Sequence, residues 1–477
     1  MTGTCFVTDL TMLKHWNVIQ GWNPEKPQRL EVTHRLLTSR GLVYRALVLK
    51  PRFATDDEIA LVHTDEHIAR IRATDGLPLE EVTVANYRIS KISLIGPDTN
   101  KCARLSTGCL LQVVDAVLTG KSRNGVALIR PPGHHSSPNE ATGFCMFNNV
   151  AVAAKYAIRE HGLKRILIFD WDIHHGNGTQ TVFYKDASVL YVSLHRYSLK
   201  IFPRTEIADA TFIGDGDGKG YNINIPWTKP AMTDADYLTA MHQLILPVAY
   251  EFNPELVIIS AGFDSAKGDL LGDCCVTPAG YQHITSLLRN LAGGKLILQL
   301  EGGYNVDVVA ECMAACMATL LGDPVMAVTD SRPSTSALAS IERARTAVKP
   351  YWKCLTPEDT PIVVEPEKPI ESLPMPIINC CHEDVIRDLP KDFAPELRKQ
   401  TQWICLTCYQ VFSGDFDSVA EHADGTQHFL AANTQSLRVW CSADNRYALV
   451  ERAIPALAWL AKNHQGFPQN VHPNTQL

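Results

Sequence analysis

Residues 165–178 read Arg165-Ile166-Leu167-Ile168-Phe169-Asp170-Trp171-Asp172-Ile173-His174-His175-Gly176-Asn177-Gly178, an apolar run that ends abruptly in acidic and imidazole side chains. Four consecutive branched or aromatic residues are typical of a strand that is buried on both faces of a parallel sheet. Such a strand needs helices above and below it. The segment therefore predicts an α/β protein with reactive residues at the carboxyl end of a strand.

The same pattern recurs between Gly125 and Tyr304. Further apolar runs predict strands at Val126–Arg130, Ser188–His195, Leu256–Asp264 and Lys295–Gly302. A more alternating fragment predicts an additional strand at Tyr221–Pro226. Segments with helical spacing separate several of these runs, at Val150–Glu160, Asp234–Glu251 and Pro278–Leu291. Strands that alternate with helices predict a parallel sheet covered on both faces.

Five of the predicted strands lead into polar or catalytic-type residues. These residues are His134 and His135, Asp172 and His174, His195, Asp264, and Tyr304. Because the carboxyl ends of parallel strands meet at one edge of a sheet, we expect these side chains to gather there. A purely structural explanation would require a coincidence at five separate strands.

The composition narrows the class of protein. With 477 residues, the chain is expected to form one large domain and a smaller one. Its net charge is −7 and it has no basic stretch, which argues against direct binding of DNA or RNA. Its start lacks the pattern of a signal peptide, and no apolar run of about 20 residues predicts a membrane span. Its 14 cysteines, spread along so long a chain, favour an intracellular rather than a secreted protein.

Asp172, His174 and Asp264 form a candidate metal site. Asp172 and His174 are two residues apart at a strand end, so their side chains project to the same side. Asp264 reaches the same edge from another strand. A catalytic zinc ion keeps three protein ligands of these types and leaves one position open. The same ligands also suit Fe(II) or Co(II). A helix cap is a plausible alternative for Asp172 alone, but it does not explain the cluster.

The pair His134 and His135 indicates the chemistry. Near a metal, such a pair offers a general base for a water and an acid for a leaving amine. Asp170 and Asn177 lie beside the metal ligands in the sequence and are the expected partners of the two imidazoles. Tyr304 follows two glycines and could donate a hydrogen bond to a developing oxyanion, although a packed aromatic residue is the alternative. Together these residues predict metal-assisted hydrolysis of an amide.

Five segments resemble the zinc-dependent histone deacetylases. They are Arg130–His135, Gly143–Cys145, Asp170–Gln180, Ser260–Asp264 and Leu300–Asn305. In detail the chain resembles class IIb, which includes the tubulin deacetylase, because Asn177 stands where class I enzymes have an aspartate. The resemblance implies a catalytic domain over residues 1–352, with a three-layer, arginase-like α/β fold and a mostly parallel sheet of eight strands.

The resemblance also implies a role for each candidate residue. Asp172, His174 and Asp264 become ligands of the catalytic zinc ion. His135 becomes the main general base and acid, partnered by Asn177. His134, partnered by Asp170, becomes the second, electrostatic histidine. Tyr304 becomes the phenol that polarises the substrate carbonyl.

Family enzymes hold the acetyl-lysine stem in a narrow channel with aromatic walls. Gly143, Phe144 and Phe202 match the positions that form this channel. The polyamine-preferring member of class IIb carries an acidic residue where this chain has Leu271. Because an apolar side chain does not attract a second cationic amine, we expect acetyl-lysine in proteins to be preferred over acetylpolyamines.

Family enzymes bind potassium as well as zinc, which implies two potassium sites here. The first would involve Asp170, Asp172, His174, Ser193 and Leu194. The second would involve Phe183, Asp186, Val189 and Tyr221. The chain departs from the family near its start, where Asn23 replaces the first residue of the usual His-Pro-Glu, and this is expected to affect packing of the first loop.

A smaller module follows the catalytic domain. A proline-rich linker is predicted over 353–378, and residues 379–477 resemble the ubiquitin-binding zinc finger of the tubulin-type deacetylase. Candidate ligands of one structural zinc ion are Cys380, His382, Cys405, Cys408, His422, His428 and Cys441. The finger is degenerate: Asp444 follows three residues after Cys441 where a ligand is expected, and Asp415 replaces the arginine that grips the carboxylate of ubiquitin. An aspartate repels that carboxylate, so binding of free ubiquitin is not expected.

The alternative for this module is that packing of Trp403, Phe412 and Phe429 holds it together without metal.

For the whole chain we expect hydrolysis of acetyl-lysine in histone tails, tubulin or other proteins, in the cytoplasm or the nucleus. The alternatives are an acetylpolyamine amidohydrolase and a catalytically silent scaffold that binds acetylated or ubiquitinated partners. An arginase-like hydrolase of small guanidines ranks last, because it would have a two-metal ligand set and no His-His motif.

Overall fold

The structure is a computed structural model of two units that divide between Thr360 and Pro361. In the first unit it describes residues 2–16, 24–77, 95–198, 201–329 and 332–356. In the second it describes residues 377–378, 382, 384, 386–388, 390, 402–413, 417–434, 439–444, 446–449 and 451–463. The ends of the segment predicted as a linker, 353–378, lie in structured elements: Lys353–Leu355 is a short 3₁₀ helix and Ile377–Ile378 is a strand.

Eight parallel strands form the sheet of the first unit. They are β1 (Thr2–Val7), β2 (Leu47–Val48), β3 (Ser122–Ala127), β4 (Ile166–Asp170), β5 (Val189–Arg196), β6 (Asn222–Trp227), β7 (Leu256–Ala261) and β8 (Leu296–Leu300). Their order across the sheet is β2-β1-β3-β8-β7-β4-β5-β6, and each neighbouring pair is parallel. The expected eight-stranded α/β fold is confirmed, and these pairings are parallel throughout.

Helices pack on this sheet because its central strands are apolar on both faces. The longer helices are Gln28–Ser39, Asp65–Arg72, Thr99–Leu118, Asn149–His161, Pro278–Leu288, Val306–Leu320 and Thr335–Val348. The shorter ones are Asp56–Ile59, Asn177–Phe183, Asp234–Ala240 and Leu246–Phe252. The helix predicted over Asp234–Glu251 is interrupted by a π-helical turn at Met241–Ile245. Pro247 follows this turn, and its missing N–H removes one hydrogen bond of a regular α-helix.

Strand order explains why the candidate site lies at one edge of the sheet. The strands β3, β8, β7 and β4 are neighbours, and all four run in the same direction. The last residue of β4, Asp170, is in register with Ser260 of β7 and Ser193 of β5. The segments that follow these strands therefore leave the sheet side by side.

The second unit has a sheet of its own. Its strands are β9 (Ile377–Ile378), β10 (Gln402–Cys405), β11 (Val411–Ser413), β12 (Leu430–Asn433), β13 (Val439–Cys441) and β14 (Arg446–Leu449). The order is β11-β10-β12-β13-β14-β9, antiparallel except for the last pair. Two helices, Asp417–Thr426 and Ile454–Asn463, complete the α+β module that was expected. Among the described helices of both units, none has the length and apolar character that crossing a membrane requires.

Candidate metal and active site

The three predicted metal ligands converge at the carboxyl edge of the sheet. Asp172 and His174 follow β4, and Asp264 follows β7. The Nδ1 atom of His174 lies 2.9 Å from Oδ2 of Asp264 and 3.3 Å from Oδ1 of Asp172. Both aspartates are buried, and His174 is largely buried. The backbone N–H of Ile173 donates to Asp264 at 2.8 Å, which ties the two strand ends together.

This geometry fits a tetrahedral zinc ion. Zinc bonds to nitrogen and oxygen of about 2.0–2.1 Å place neighbouring ligand atoms about 3.3 Å apart. The separations at Nδ1 of His174 are close to that value. Burial and the nearby charge of Asp172 raise the pKa of Asp264 to about 7, because two buried carboxylates repel one another. A divalent cation between them removes this repulsion, so the donor set suits a metal ion.

Gly302 packs directly against the carboxylates of the candidate metal site. A Cβ atom on Gly302 would lie 2.5 Å from Oδ2 of Asp172 and 2.5 Å from Oδ2 of Asp264. A side chain at position 302 would therefore displace both carboxylates. The backbone N–H of Gly302 donates to Oδ2 of Asp172 at 2.9 Å, which fixes that oxygen.

The two histidines lie next to the ligand cluster with the partners that were expected. Nδ1 of His134 lies 2.9 Å from Oδ2 of Asp170, and Nδ1 of His135 lies 2.8 Å from Oδ1 of Asn177. The centres of the two imidazole rings are 3.9 Å apart. Nε2 of His134 lies 3.7 Å from Oδ2 of Asp172, so this histidine borders the metal cluster directly.

The surroundings separate the pKa values of the two histidines. Burial lowers the pKa of His134, but the charges of Asp170 and Asp172 outweigh burial and hold the pKa well above its usual value. For His135, burial and the positive charge of His134 both act in the same direction and hold the pKa well below its usual value. The two imidazoles thus differ in pKa, as a paired acid and base require.

Tyr304 lies at the start of the segment that follows β8. Its side chain is buried, and its ring centre is 6.4 Å from the ring of His174. Burial and the charge of Asp264 raise the pKa of Tyr304 well above its usual value, so the phenol keeps its proton. A protonated phenol beside the metal cluster is able to donate a hydrogen bond to an oxyanion.

Two aromatic rings, those of Phe144 and Phe202, border the cluster. The ring of Phe202 packs edge-on against His135 at 4.8 Å, and the ring of Phe144 lies 6.1 Å from that of Tyr304. Gly143 has a φ of 55°, and a Cβ atom there would lie 2.4 Å from Cδ2 of His135. Leu271 is partly exposed in the loop after Asp264, and its backbone N–H donates to Asp269 at 2.9 Å.

Several buried polar residues at the site were missed by the sequence analysis. Glu301 accepts hydrogen bonds from the backbone N–H groups of Gly133 at 2.7 Å and His134 at 3.3 Å. Burial raises the pKa of Glu301 to about 7. Glu301 lies within the predicted strand Lys295–Gly302 and the resembling segment Leu300–Asn305, but the sequence analysis gave it no role, although a carboxylate at the edge of an apolar run already signals a buried partner.

The loop near Glu25 also contributes to the site. Glu25 pairs with Arg29 at 2.9 Å and with Arg130 at 2.6 Å, and all three side chains are buried. Arg29 in turn donates to the carbonyl oxygens of Gly303 and Glu301 at 2.5 Å each. Asn23, the departure noted in this loop, lies outside the described residues.

The residues of the two implied potassium sites are placed as follows. In the first group, Ser193 and Leu194 are consecutive residues of β5, and Ser193 is in register with Asp170 of β4. In the second group, the carbonyl of Phe183 accepts from the N–H of Asp186 at 3.0 Å, and the carbonyl of Asp186 accepts from Val189 at 3.5 Å. The carboxylate of Asp186 already pairs with Lys155 at 2.6 Å. Tyr221 precedes β6, and its carbonyl accepts from Tyr191 at 2.9 Å.

In the second unit the candidate zinc ligands form two clusters rather than one set. The first, which we call the Cys2His2 cluster, contains Cys405, Cys408, His422 and His428. In the first cluster, Nε2 of His422 lies 3.4 Å from Sγ of Cys408 and 3.3 Å from Nδ1 of His428. Cys380 lies outside the described residues, as does Asp415.

The second cluster contains His382, Cys441 and Asp444. Oδ2 of Asp444 lies 3.1 Å from Nδ1 of His382 and 3.1 Å from Sγ of Cys441. The residue noted as a departure from the finger pattern therefore lies where a ligand is needed, because a carboxylate oxygen is also a zinc ligand. The rings of Phe412 and Phe429 each pack against a cluster histidine, His422 and His382, at 4.9 Å.

Comparison with known proteins agrees with this geometry. A family model described as "Histone deacetylase domain" matches residues 23–320, and one described as "Zn-finger in ubiquitin-hydrolases and other protein" matches residues 394–452. The human protein named polyamine deacetylase HDAC10 is 47% identical over 341 residues, which cover 71% of this chain and 51% of that protein. Histone deacetylase 6 of Caenorhabditis elegans is 34% identical over 496 residues, covering 91% of this chain and 52% of that protein.

A solved structure, the crystal structure of the HDA15 HD domain, superposes with a TM-score of 0.68 at 38% identity, covering 74% of this chain and 96% of that one. The chain spans about half the length of the curated relatives named above. The match to the deacetylase model covers more than half of the chain, and the eight-stranded sheet agrees with it. The chain therefore belongs to the histone deacetylase family of zinc-dependent amidohydrolases and carries a zinc finger of the ubiquitin-hydrolase type.

Proposed function

We propose that the first unit hydrolyses N-acetyl-lysine side chains of intracellular proteins. The observation that carries this proposal is the convergence of the Asp172, His174 and Asp264 cluster with His134, His135 and Tyr304. Asp172, His174 and Asp264 would hold the zinc ion, with Fe(II) or Co(II) as alternatives for the same donors. When bound, the ion supplies a Lewis acid that polarises the acetyl carbonyl and makes a water acidic.

The two histidines move the protons of the reaction. His135, with Nδ1–H donating to Asn177, presents an unprotonated Nε2 that takes a proton from the attacking water. As the amide C–N bond breaks, His135 returns that proton to the lysine nitrogen, which gives acetic acid and the free amine; the acid then passes its proton to the amine, and the products leave as acetate and a lysine ammonium group. His134 stays cationic beside Asp170 and favours the negative charge that develops on the carbonyl oxygen.

The remaining groups position the lysine stem and stabilise the oxyanion that develops on the carbonyl oxygen. Tyr304 donates its phenol proton in a hydrogen bond to the carbonyl oxygen, and the bond strengthens as that oxygen becomes an oxyanion. The rings of Phe144 and Phe202 contact the four-carbon stem of the lysine, which offers no polar handle. Gly143 keeps the space between these rings and His135 free of side chains.

Acetyl-lysine in proteins is favoured over acetylpolyamines by the residues near position 271. Leu271 is apolar and partly exposed, so it offers no charge to a second amine. The acidic neighbours already have partners: Asp269 accepts from backbone N–H groups, and Asp273 pairs with Arg196 at 2.9 Å. Hydrolysis of acetylpolyamines is the second candidate function, because the relative HDAC10 is named a polyamine deacetylase.

A direct comparison of substrates tests the proposal. Purified, zinc-loaded protein should release acetate from an acetylated histone peptide or acetylated tubulin faster than from N-acetylspermidine, and a hydroxamate chelator should block the reaction. Faster release from N-acetylspermidine would indicate that the protein is an acetylpolyamine amidohydrolase. A zinc-loaded protein inert toward all three substrates would favour a scaffold that only binds acetylated partners.

We further propose that the second unit holds two structural zinc ions. The Cys2His2 cluster offers a complete tetrahedral set, and the cluster of His382, Cys441 and Asp444 offers three ligands, with Cys380 as the candidate for the fourth. Binding of free ubiquitin is not expected, since Asp415 would repel the carboxylate of the ubiquitin C-terminus. Calorimetric titration with ubiquitin tests this expectation, and binding in the micromolar range or tighter would contradict it.

Potassium binding stays a separate proposal that follows from family membership. The carboxylate of Asp186 is already paired with Lys155, so an ion at the second site would depend on backbone carbonyl oxygens such as those of Phe183 and Tyr221. Acetate release measured in sodium and in potassium buffers of equal ionic strength tests whether potassium matters for activity.

A further inference from the structure

One carboxylate that the proposed mechanism does not use, that of Asp269, reaches the catalytic loop. Its Oδ2 accepts hydrogen bonds from the backbone N–H of Tyr304 at 2.6 Å and from that of Asn305 at 3.0 Å. Its Oδ1 accepts from the N–H of Leu271 at 2.9 Å. A single side chain thus joins the loop that follows β7 to the loop that follows β8.

The position of Tyr304 depends on the turn that carries it. This turn joins β8 to the helix Val306–Leu320, and it contains Gly303 with a φ of 107°. Arg29 holds the turn from one side, through the carbonyl oxygen of Gly303. Asp269 holds it from the other side, through the N–H groups. Because the phenol must meet a carbonyl oxygen within hydrogen-bond distance, a shift of this turn changes where the phenol points.

A purely structural role for Asp269 would be to cap the helix Val306–Leu320. That role is already filled by Asn305, whose side chain accepts from the N–H of Val308 at 3.5 Å. Asn305 also donates from Nδ2 to the carbonyl of Gly268 at 2.8 Å, which independently links the same two loops. What Asp269 adds is the bond to Tyr304 itself and the bond to Leu271.

We propose that Asp269 is a positioning residue that holds Tyr304 within reach of the substrate carbonyl and fixes the loop bearing Leu271. The inference rests on the proposed function, in which Tyr304 polarises that carbonyl. It implies that turnover and substrate choice are coupled, since one carboxylate fixes the phenol and the loop that faces the substrate.

The first test is the substitution Asp269→Asn in the full chain. The two loops are bonded through different oxygens of Asp269, and asparagine keeps only one of them, so its NH2 group faces either the N–H of Leu271 or those of Tyr304 and Asn305 and breaks the link between the loops. We expect kcat for an acetyl-lysine peptide to fall by about 10- to 100-fold, the scale of a displaced catalytic group, with KM changed by less than about threefold. The matched control is Asp273→Asn in the same loop: that side chain is 73% exposed, and the variant should keep its kcat.

The decisive test repeats the substitution in a Tyr304→Phe background. If Asp269 acts through Tyr304, the double variant should be no slower than Tyr304→Phe alone, whereas independent effects would multiply. Multiplied effects, or an unchanged kcat for Asp269→Asn, would overturn the proposal. An unchanged kcat for Tyr304→Phe alone would instead overturn the role of the phenol in the proposed function, so the two failures are distinguishable.

Binding of a hydroxamate inhibitor gives a readout that needs no turnover. Such an inhibitor presents a carbonyl oxygen to the same phenol, so Asp269→Asn and Tyr304→Phe should each weaken binding, and together they should weaken it no further. Equal melting temperatures and zinc contents establish that the variants are folded and loaded. Asp269→Glu keeps both carboxylate oxygens and should recover part of the lost affinity; no recovery together with additive losses would leave only a structural role.

Discussion

The two units of this chain surround their candidate metal ligands in opposite ways. In the first unit, the ligands follow β4 and β7, in the middle of an eight-stranded sheet whose strands are buried by their own apolar neighbours. In the second unit, the apolar core is small: Ile404, Leu430 and Leu460 are among its members. There the Cys2His2 cluster itself joins β10 to the helix Asp417–Thr426.

Because of this difference, we expect a metal ion to have a different role in each unit. In the first unit the fold forms the metal site, because hydrophobic burial stabilises the sheet whether or not an ion is bound. In the second unit we expect the metal ions to stabilise the fold, because a small domain with a small apolar core depends on such links. Zinc should therefore supply chemistry in the first unit and stability in the second.

Removing all metal should give the largest effect and the clearest separation of the two units. After treatment with a strong zinc chelator, acetate release should be abolished, while the sheet of the first unit stays protected in hydrogen exchange. Residues 402–463 should lose their protection, because structural zinc contributes about 10–16 kcal/mol to the folding of zinc-finger peptides. Adding zinc back should restore both. Retained protection at 402–463 would instead favour packing of Trp403, Phe412 and Phe429 as the stabilising interaction.

Tyr304→Phe should have the next largest effect, on activity alone. Removing an oxyanion donor lowers turnover by at least about 100-fold, which corresponds to about 2.7 kcal/mol. The melting temperature should hardly change, since the ring is kept. Tyr250→Phe is the matched control, because that side chain is 58% exposed and lies in the helix before the amino end of β7, whereas the site follows the carboxyl ends of the strands. A Tyr304→Phe variant with normal kcat would show that the phenol is a packed aromatic residue only.

The catalytic unit was more predictable from the sequence than its supporting contacts. The strands β4, β5, β7 and β8 were located to within a few residues, because each is a continuous apolar run. The strand β1 (Thr2–Val7) was missed: it begins Thr-Gly-Thr and gives no apolar run of comparable length. The strand β2 is two residues long and both are exposed, so it shows no periodic pattern of apolar residues.

The supporting contacts could not be predicted from the sequence, because each joins chain segments that are far apart. Glu301 bonds to Gly133, which is 168 residues away, and Asp269 bonds to Tyr304, which is 35 residues away. Such pairings follow from the order of strands in the sheet, which local pattern does not determine. Reactive residues at strand ends were visible because their position depends on the edge of the sheet alone. In the second unit, the ligand types were visible, but their division into two clusters depends on the pairing of β12 with β13.

Asp444→Ala should give an intermediate effect that sharpens the comparison within the second unit. If Asp444 is a zinc ligand, the purified variant should contain one zinc ion fewer per chain, and residues 402–463 should lose part of their protection in hydrogen exchange. The Cys2His2 cluster should keep its ion. Asp424→Ala removes the same charge from an exposed helix position and should keep the full zinc content. An unchanged zinc content in Asp444→Ala would reduce Asp444 to a hydrogen-bond partner of His382.

Leu271→Glu should give the smallest effect, and it tests the substrate specificity of the first unit. A carboxylate at this partly exposed position would attract the free amine of N-acetylspermidine. Exposed ion pairs contribute about 0.2–1 kcal/mol, so we expect kcat/KM for N-acetylspermidine to rise by up to about fivefold relative to an acetyl-lysine peptide. The rise should shrink with added salt, because the attraction is screened. Leu270→Glu places the same charge one residue away on a 58% exposed side chain and should shift the ratio less. Equal shifts in both variants would mean that the net charge of the loop, rather than a contact at position 271, selects the substrate.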